Sequence, residues 1–201
     1  GGGEIFAPAV RRKIGLGKCD AEIWLTVMHV AHELGMNTSA TMMFGHIEGV
    51  DDRIHHMDLV RQWQDRSLAD FASDGGGRYM AFISWPFQRE NTPLGRLPDW
   101  DGSGEFPGDV VAMLDGSGEK LVDPEFGRKL RLAGASAYLR TQAISRLMID
   151  NVYSIGASWV TMGPHVGQLA LNFGANDMGS VMMEENVVSA AGTTYCLNEQ
   201  I

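Results

Sequence analysis

The chain has 201 residues, of which 44% are hydrophobic and 20% are charged, and this composition supplies enough apolar material for one sizeable core. The formal net charge of -9 argues against a nucleic-acid partner, because proteins that bind phosphate backbones usually display clustered Lys and Arg. No apolar run reaches the roughly 18 to 20 residues that a membrane helix needs, and no secretory signal pattern opens the chain, so we expect no membrane partner and a cytoplasmic location.

The cysteines and the first residues of the sequence limit which metal sites, and how much of a protein, we expect in this chain. Cys19 and Cys196 are its two cysteines, and neither has a partner at metal-ligand spacing, so they predict no disulfide framework, no zinc site and no iron-sulfur site. The sequence opens on Gly1-Gly2-Gly3-Glu4 without a methionine, which indicates a piece of a longer protein.

The first half of the chain predicts two pairs of a helix followed by a strand. Asp20 is a suitable N-cap for an amphipathic helix that ends at Gly35, and the compact apolar and Thr-rich run 38–44 predicts a strand buried on both faces. The pattern repeats with a helix from 51 to about 72 and a buried strand over 79–85, which the following proline ends.

The second half predicts two further pairs after a polar interval. A helix over 135–151 precedes a strand over 154–162, and a shorter helix over 166–173 precedes a strand over 174–182. Helices that alternate with strands indicate a parallel α/β fold. Four such pairs would make half of a (β/α) barrel, although periodicity alone does not separate this from an open doubly wound sheet.

The interval 93–134 differs from the rest of the single domain expected over 1–201. It is rich in Gly, Asp and Pro, and the pentapeptide Asp-Gly-Ser-Gly-Glu occurs at 101–105 and again at 115–119. The ligand spacing of a calcium-binding EF-hand is absent. We therefore expect an inserted, solvated surface loop.

Polar and aromatic side chains collect near the predicted strand ends, where active-site groups gather in parallel βα proteins. The opening glycines suit either a tight turn or a ligand that approaches the backbone closely. His46 and Glu48 follow the first strand, and these two candidate ligands do not complete a metal site. The other candidates are Ser84, Trp85, Ser158, Thr161, Asn176 and Asp177.

Each candidate also has a structural reading. The aromatic and hydroxyl groups together suit a pocket for an aromatic small molecule with polar edges, but for Trp85 or Trp159 taken singly a place in the core is the favoured interpretation. Asp177 or Glu184 could act as an acid or base or bind hydroxyl groups, and Glu184 and Glu185 could instead stabilise the first turn of a following helix.

These segments, taken in order, resemble the menaquinone-futalosine and deazaflavin branch of the radical S-adenosylmethionine (SAM) enzymes. Two of them, Ala-Ser-Trp-Val-Thr and Glu-Glu-Asn-Val-Val-Ser-Ala-Ala-Gly, look more like the cyclic dehypoxanthinyl futalosine synthase subgroup than like the aminofutalosine or deazaflavin synthases. The matching motifs are at 1–5, 40–48, 82–88 with Asn91 and Thr92, 146–151, 157–164, 173–180 and 184–192.

The resemblance implies a radical SAM barrel in which a CxxxCxxC loop binds a 4Fe-4S cluster that cleaves SAM to a 5'-deoxyadenosyl radical. The radical would take a ribose hydrogen from dehypoxanthine futalosine, and the sugar radical would cyclise onto the benzoate ring. The substrate, SAM and an electron donor are the implied partners. No CxxxCxxC occurs in this sequence, so we expect the cluster ligands in a missing N-terminal part and an inactive fragment.

Motif position and predicted strand ends together assign roles. We expect SAM contacts from Gly1, Gly2, Gly3 and Glu4; substrate contacts from Ser84, Trp85, Ser158, Thr161 and Asn176; and a catalytic base among His46, Glu48 and Asp177. Two alternatives stay open: another synthase of the same branch, or a non-catalytic half-barrel without a cluster.

Overall fold

The computed structural model describes residues 2–15, 17–110, 123–181 and 186–197. Its elements are α1 (Pro8–Ile14), α2 (Ala21–Glu33), β1 (Thr38–Phe44), α3 (Val50–Phe71), β2 (Tyr79–Pro86), α4 (Ala135–Met148), β3 (Ser154–Gly156), α5 (Trp159–Met162), α6 (Pro164–Ala170) and α7 (Val187–Ala190), with short 3-10 turns at Ala72–Asp74, Leu94–Arg96 and Leu171–Phe173.

The described strands form one parallel sheet in the order β1, β2, β3. Phe44 pairs with Pro86, and Ile83 pairs with Gly156, so the carboxyl ends of the strands meet at one edge. The residues before α1 lie alongside β1 at the edge of the sheet, because the amide of Met43 donates to the carbonyl of Glu4 at 3.1 Å. The alternating helices and parallel strands confirm the predicted α/β class.

Helix α2 begins and ends where its sequence predicts. The carboxylate of Asp20 accepts a hydrogen bond from the amide of Ile23 at 2.9 Å, which satisfies one of the amides that every helix leaves free at its start. Gly35 has φ of +79°, a left-handed conformation that glycine adopts without steric cost. The next strand is confirmed over Thr38–Phe44.

The core lies between the sheet and the helices α3 and α4. Met57 and Val60 on α3 and Tyr138 on α4 are fully buried, as are Phe44 and Phe82 on the strands. Helix α3 matches its predicted span within a residue at each end, and α4 ends three residues earlier than the predicted 151. Burial of these apolar side chains is the main force that holds the helices on the sheet.

Two strand predictions in the second half are wrong. The strand expected over 154–162 ends at Gly156, and Trp159–Met162 is a helical turn that closes at Gly163 with φ of +82°. In the described part of 174–182, a single parallel bridge joins Asp177 to Gly156. The Asp177 carboxylate accepts from the amide of Gly179, and this local turn stops the pairing.

Within the described parts of the interval 93–134, residues 101–105 are exposed, whereas three apolar side chains pack against the protein body. Phe106, Phe126 and Leu130 are buried, and the amide of Arg131 donates to the carbonyl of His46 at 2.8 Å. The second acidic pentapeptide, at 115–119, lies outside the described residues. Throughout the described ranges, every helix is too short or too polar to cross a bilayer.

Candidate functional site

A cleft of about 440 Å³ opens on one face of the sheet near the carboxyl ends of β2 and β3. Ala81, Ile83 and Trp85 form its floor, because alternate residues of a strand point to the same face. Thr41 of β1 adds to this floor, and Asp177 lies on the rim next to β3. The remaining lining residues come from 156–161, 178–180, Val187 and Val188.

One wall of the cleft combines an aromatic ring with a hydroxyl pair. Trp159 is 5% exposed and lines the cleft in the turn that follows β3. The hydroxyls of Ser158 and Thr161 lie 2.8 Å apart, so one of them donates to the other and each keeps capacity for a further hydrogen bond. An indole surface beside paired hydroxyls suits a ligand that has both an aromatic ring and sugar hydroxyls.

Asp177 places a carboxylate at the cleft. One of its oxygens accepts from the hydroxyl of Ser154 at 3.0 Å, and the other accepts from the amide of Gly179 at 2.7 Å. These bonds fix the carboxylate while leaving lone pairs on both oxygens. A fixed carboxylate can accept a hydrogen bond from a hydroxyl group or take up a proton.

Ser84 lies behind the cleft, although it is adjacent to Trp85 in sequence. It is fully buried, and its hydroxyl faces the side chain of Gln142 at 3.5 Å. Gln142 also donates to the hydroxyl of Tyr138 at 2.6 Å and to the carbonyl of Gly156 at 2.9 Å. The network therefore supports the strand end that carries the cleft.

Tyr138 and Gln142 were not predicted as site residues. The Tyr138 hydroxyl accepts from the amide of Ser158 at 2.7 Å, and it therefore fixes the start of the wall that contains Ser158 and Thr161. Both network residues lie on α4, where their sequence context indicates an ordinary helix.

His46 and Glu48 form a closed cluster at the end of β1, and neither of them lines the cleft. Both side chains are 0% exposed. Glu48 accepts hydrogen bonds from the amides of Gly45 and His46 at 2.6 and 2.8 Å, and it pairs with Arg53 at 2.7 Å. Burial by itself would raise the pKa of Glu48, but His46, Arg53 and the Gly45 amide together lower it to about 2.

Asn176 connects backbone segments next to β3 and does not line the cleft. Its side-chain oxygen accepts from the amide of Ile155 and from Arg146, both at 2.8 Å, and its amide group donates to the carbonyl of Tyr153 at 3.0 Å. These three bonds occupy most of the polar capacity of the side chain.

The glycine-rich start of the chain lies beside β1, with Gly1 outside the described residues. A Cβ atom on Gly3 would come within 2.4 Å of the carbonyl oxygen of Thr41, so close packing requires glycine there. Because Thr41 also lines the cleft, the segment adjoins it. Glu4 has φ of +38° and pairs with Lys18 at 2.5 Å. Its second carboxylate oxygen is buried and has no hydrogen-bond partner among the described residues.

The structure thus brings together part of the predicted site. Trp85, Ser158, Thr161 and Asp177 line one cleft, and Gly2, Gly3 and Glu4 lie at the neighbouring edge of β1. Ser84, His46, Glu48 and Asn176 lie outside the lining. Across the described ranges, no three His, Cys, Asp or Glu side chains are placed to hold a metal ion.

Comparison with known proteins gives relatives along nearly the whole chain. A family model described as the CofH/MqnC C-terminal region matches residues 125–201. The chain is 36% identical over 198 residues to the cyclic dehypoxanthine futalosine synthase of Halalkalibacterium halodurans, an alignment that covers 98% of this chain and 42% of that protein.

Two other relatives have different printed activities. The aminodeoxyfutalosine synthase of Thermus thermophilus is 35% identical over 193 residues, with 96% of this chain and 42% of that protein covered. The 5-amino-6-(D-ribitylamino)uracil--L-tyrosine 4-hydroxyphenyl transferase of Methanopyrus kandleri is 33% identical over 192 residues, with 95% and 42% covered. The chain therefore spans less than half the length of these relatives.

Proposed function

We propose that this chain belongs to the CofH/MqnC family and is part of a radical SAM enzyme that cyclises dehypoxanthine futalosine in menaquinone biosynthesis. The observation that carries the proposal is the cleft at the carboxyl ends of β2 and β3, with Trp85 and Trp159 beside hydroxyl groups and a carboxylate. We further propose that the parallel sheet is one part of a (β/α) barrel.

The cleft residues have roles that follow from their chemistry. Trp85 and Trp159 would pack against the aromatic acid and exclude water from the reacting atoms. Ser158 and Thr161 would exchange hydrogen bonds with sugar hydroxyls, since their own pair leaves capacity on each oxygen. Asp177 would accept the proton that the ring loses on cyclisation, because among the described residues that line the cleft it is the one with a carboxylate.

The remaining predicted residues would act from outside the cleft. His46 and Glu48 would hold the turn after β1 through their buried bonds, and so they would not contact the substrate. Ser84 and Asn176 would hold β2 and β3 in place through the contacts with Gln142 and Ile155. Their substitution would change stability more than substrate specificity.

The SAM side of the pocket would be the segment Gly2–Glu4. The residues fit this ligand, because Glu4 has one buried carboxylate oxygen without a partner in the described part of the chain, and the ammonium and hydroxyl groups of SAM are hydrogen-bond donors. When bound, SAM would supply the 5'-deoxyadenosyl radical that removes a hydrogen atom from the substrate sugar.

The described residues do not fit a 4Fe-4S cluster. Such clusters are held by several cysteine thiolates, whereas Cys19 and Cys196 are both exposed and no metal-binding group of three side chains occurs in the parts of the chain that the structure covers. We therefore assign no step to the cluster through residues of this chain, and we propose that its ligands come from sequence outside it.

A second candidate activity rests on the similarity to the Thermus thermophilus aminodeoxyfutalosine synthase, whose identity of 35% is close to the 36% of the first relative. One experiment separates the two. The complete gene product is purified without oxygen, its cluster is reconstituted, and it is incubated with SAM, a strong reductant and one substrate at a time.

Mass spectrometry then identifies the product. Dehypoxanthine futalosine should be converted to a cyclic product that is two hydrogens lighter, while the chorismate-derived enol ether and tyrosine should be left intact. Turnover of only the enol ether or only tyrosine would overturn the proposed substrate and support another activity of the same branch.

A further inference from the structure

Arg11 on α1 is a buried cation, and it belongs to none of the ion pairs among the described residues. Arg11 is 5% exposed. The guanidinium donates to the carbonyl oxygens of Gly3 at 2.7 Å, Gly2 at 3.1 Å and Ile5 at 3.4 Å, and its Nε donates to that of Cys19 at 2.8 Å.

This arrangement is specific to arginine. Removing a cation from water is costly unless its donors are satisfied, and here backbone carbonyl dipoles take the place of a counter-charge. A planar guanidinium presents five N–H donors in fixed directions, whereas a lysine ammonium presents three at a single point. Lysine at position 11 could therefore not reach the same carbonyls together.

The carbonyls that Arg11 binds belong to two segments that are brought together by this contact. One segment contains Glu4 and the other contains Lys18, and their side chains form the ion pair at 2.5 Å. Glu4 adopts a left-handed φ of +38°, a conformation that costs about 1 kcal/mol or more for a non-glycine residue. Such a conformation persists when surrounding contacts hold it in place.

The ion pair leaves one Glu4 oxygen available. Lys18 neutralises the first oxygen, and the second is buried without a partner among the residues that the structure covers. A buried acceptor without a donor is costly, and a donor from a ligand would remove that cost. The carboxylate is useful to a ligand only if the backbone that carries it is fixed.

We propose that Arg11 is a positioning residue that holds the Gly2–Glu4 backbone in its ligand-binding shape, so that the free oxygen of Glu4 accepts a hydrogen bond from an ammonium or hydroxyl group of SAM. This inference rests on the proposed SAM side of the pocket. Arg11 acts through Glu4 and does not itself touch the ligand.

The test compares Arg11→Lys with Arg12→Lys in the complete gene product. Arg12 is the exposed arginine next to it on the same helix, so it is a matched control for the loss of a guanidinium. Two quantities are measured without reductant: the Kd for SAM, and the hydrogen exchange of the Met43 amide, whose acceptor is the carbonyl of Glu4.

Arg11→Lys should weaken SAM binding about tenfold and speed exchange of the Met43 amide, while Arg12→Lys should change neither quantity. Adding Arg11→Lys to a Glu4→Gln variant should weaken SAM binding no further, because Arg11 acts through that carboxylate. If Arg11 had only a general structural role, Arg11→Lys would lower SAM affinity by the same factor in wild type and in Glu4→Gln.

Several results would overturn the inference. Unchanged SAM affinity in Arg11→Lys would do so, as would an effect that adds to that of Glu4→Gln. A wild-type protein that binds no SAM would refute the proposed SAM side itself. In that case the exchange rate still tests whether Arg11 holds the Gly2–Glu4 backbone: unchanged protection of the Met43 amide in Arg11→Lys means that it does not.

Discussion

His56 on α3 should make the protein sensitive to mild acid, and replacing it with leucine should remove most of that sensitivity. Its side chain is 0% exposed, and its ring stacks on Phe6 with the ring centres 4.0 Å apart. Burial is the main cause that lowers the pKa of His56 from 6.5 to about 3; a backbone contact with Thr41 acts in the opposite direction, and the charges of Arg11 and His55 add to the lowering.

Proton linkage determines the direction in which the stability changes with pH. The unfolded chain binds a proton on His56 near pH 6.5, whereas the folded chain binds it only near pH 3. The contribution of His56 to stability is therefore present above pH 6.5 and falls as the pH decreases toward 3. Between pH 7 and pH 5 the two pKa values correspond to a loss of about 2 kcal/mol, a large fraction of the stability of a typical domain.

The assay is urea unfolding of wild type and His56→Leu between pH 7 and pH 5, with the free energy of unfolding measured at each pH. Leucine has a similar volume, so the two proteins should differ by about 1 kcal/mol or less at pH 7. At pH 5 the variant should have lost about 2 kcal/mol less than wild type. Buried His32, whose pKa is also lowered, is present in both proteins and should add the same pH dependence of stability to each. Parallel pH curves would refute the reasoning.

Two further substitutions test the assignment of roles. Glu48→Gln should destabilise the fold by about 3 kcal/mol in urea unfolding, because it leaves Arg53 without its buried partner; a change below about 1 kcal/mol would contradict the structural role. Trp159→Ala should weaken binding of dehypoxanthine futalosine about tenfold in calorimetry, whereas Trp100→Ala, outside the cleft, should not; equal losses in both variants would contradict the proposed contact.

Local signals in the sequence were sufficient for the first half of the fold. The cap at Asp20 fixes the start of α2, and the apolar runs at 38–44 and 79–86 form β1 and β2. Each of these signals lies within the element that it predicts or directly beside it. The end of β3 is different, because Trp159–Met162 has strand-like composition but becomes a helical turn. Its conformation depends on distant contacts such as the bond from the Ser158 amide to the Tyr138 hydroxyl, and periodicity contains no such information.

The candidate site was predictable only to the level of strand ends. The alternation of side chains along a strand implies that Ser84 and Trp85 face opposite sides, but the sequence does not indicate which side holds the cleft. The closed cluster of His46 and Glu48 was not predictable, because it depends on Arg53 and on Arg131 from the interval 93–134, whose amide binds the His46 carbonyl.

The central claim is that the strand ends form a cleft for a sugar-linked aromatic acid, and the indole N–H signals of the tryptophans test it most directly. Dehypoxanthine futalosine is titrated into ¹⁵N-labelled protein while each assigned indole resonance is followed. Saturable shifts are expected for Trp85 and Trp159, which line the cleft, and none for Trp63 or Trp100, which do not. Unchanged Trp85 and Trp159 signals, or shifts confined to Trp63 and Trp100, would contradict that claim.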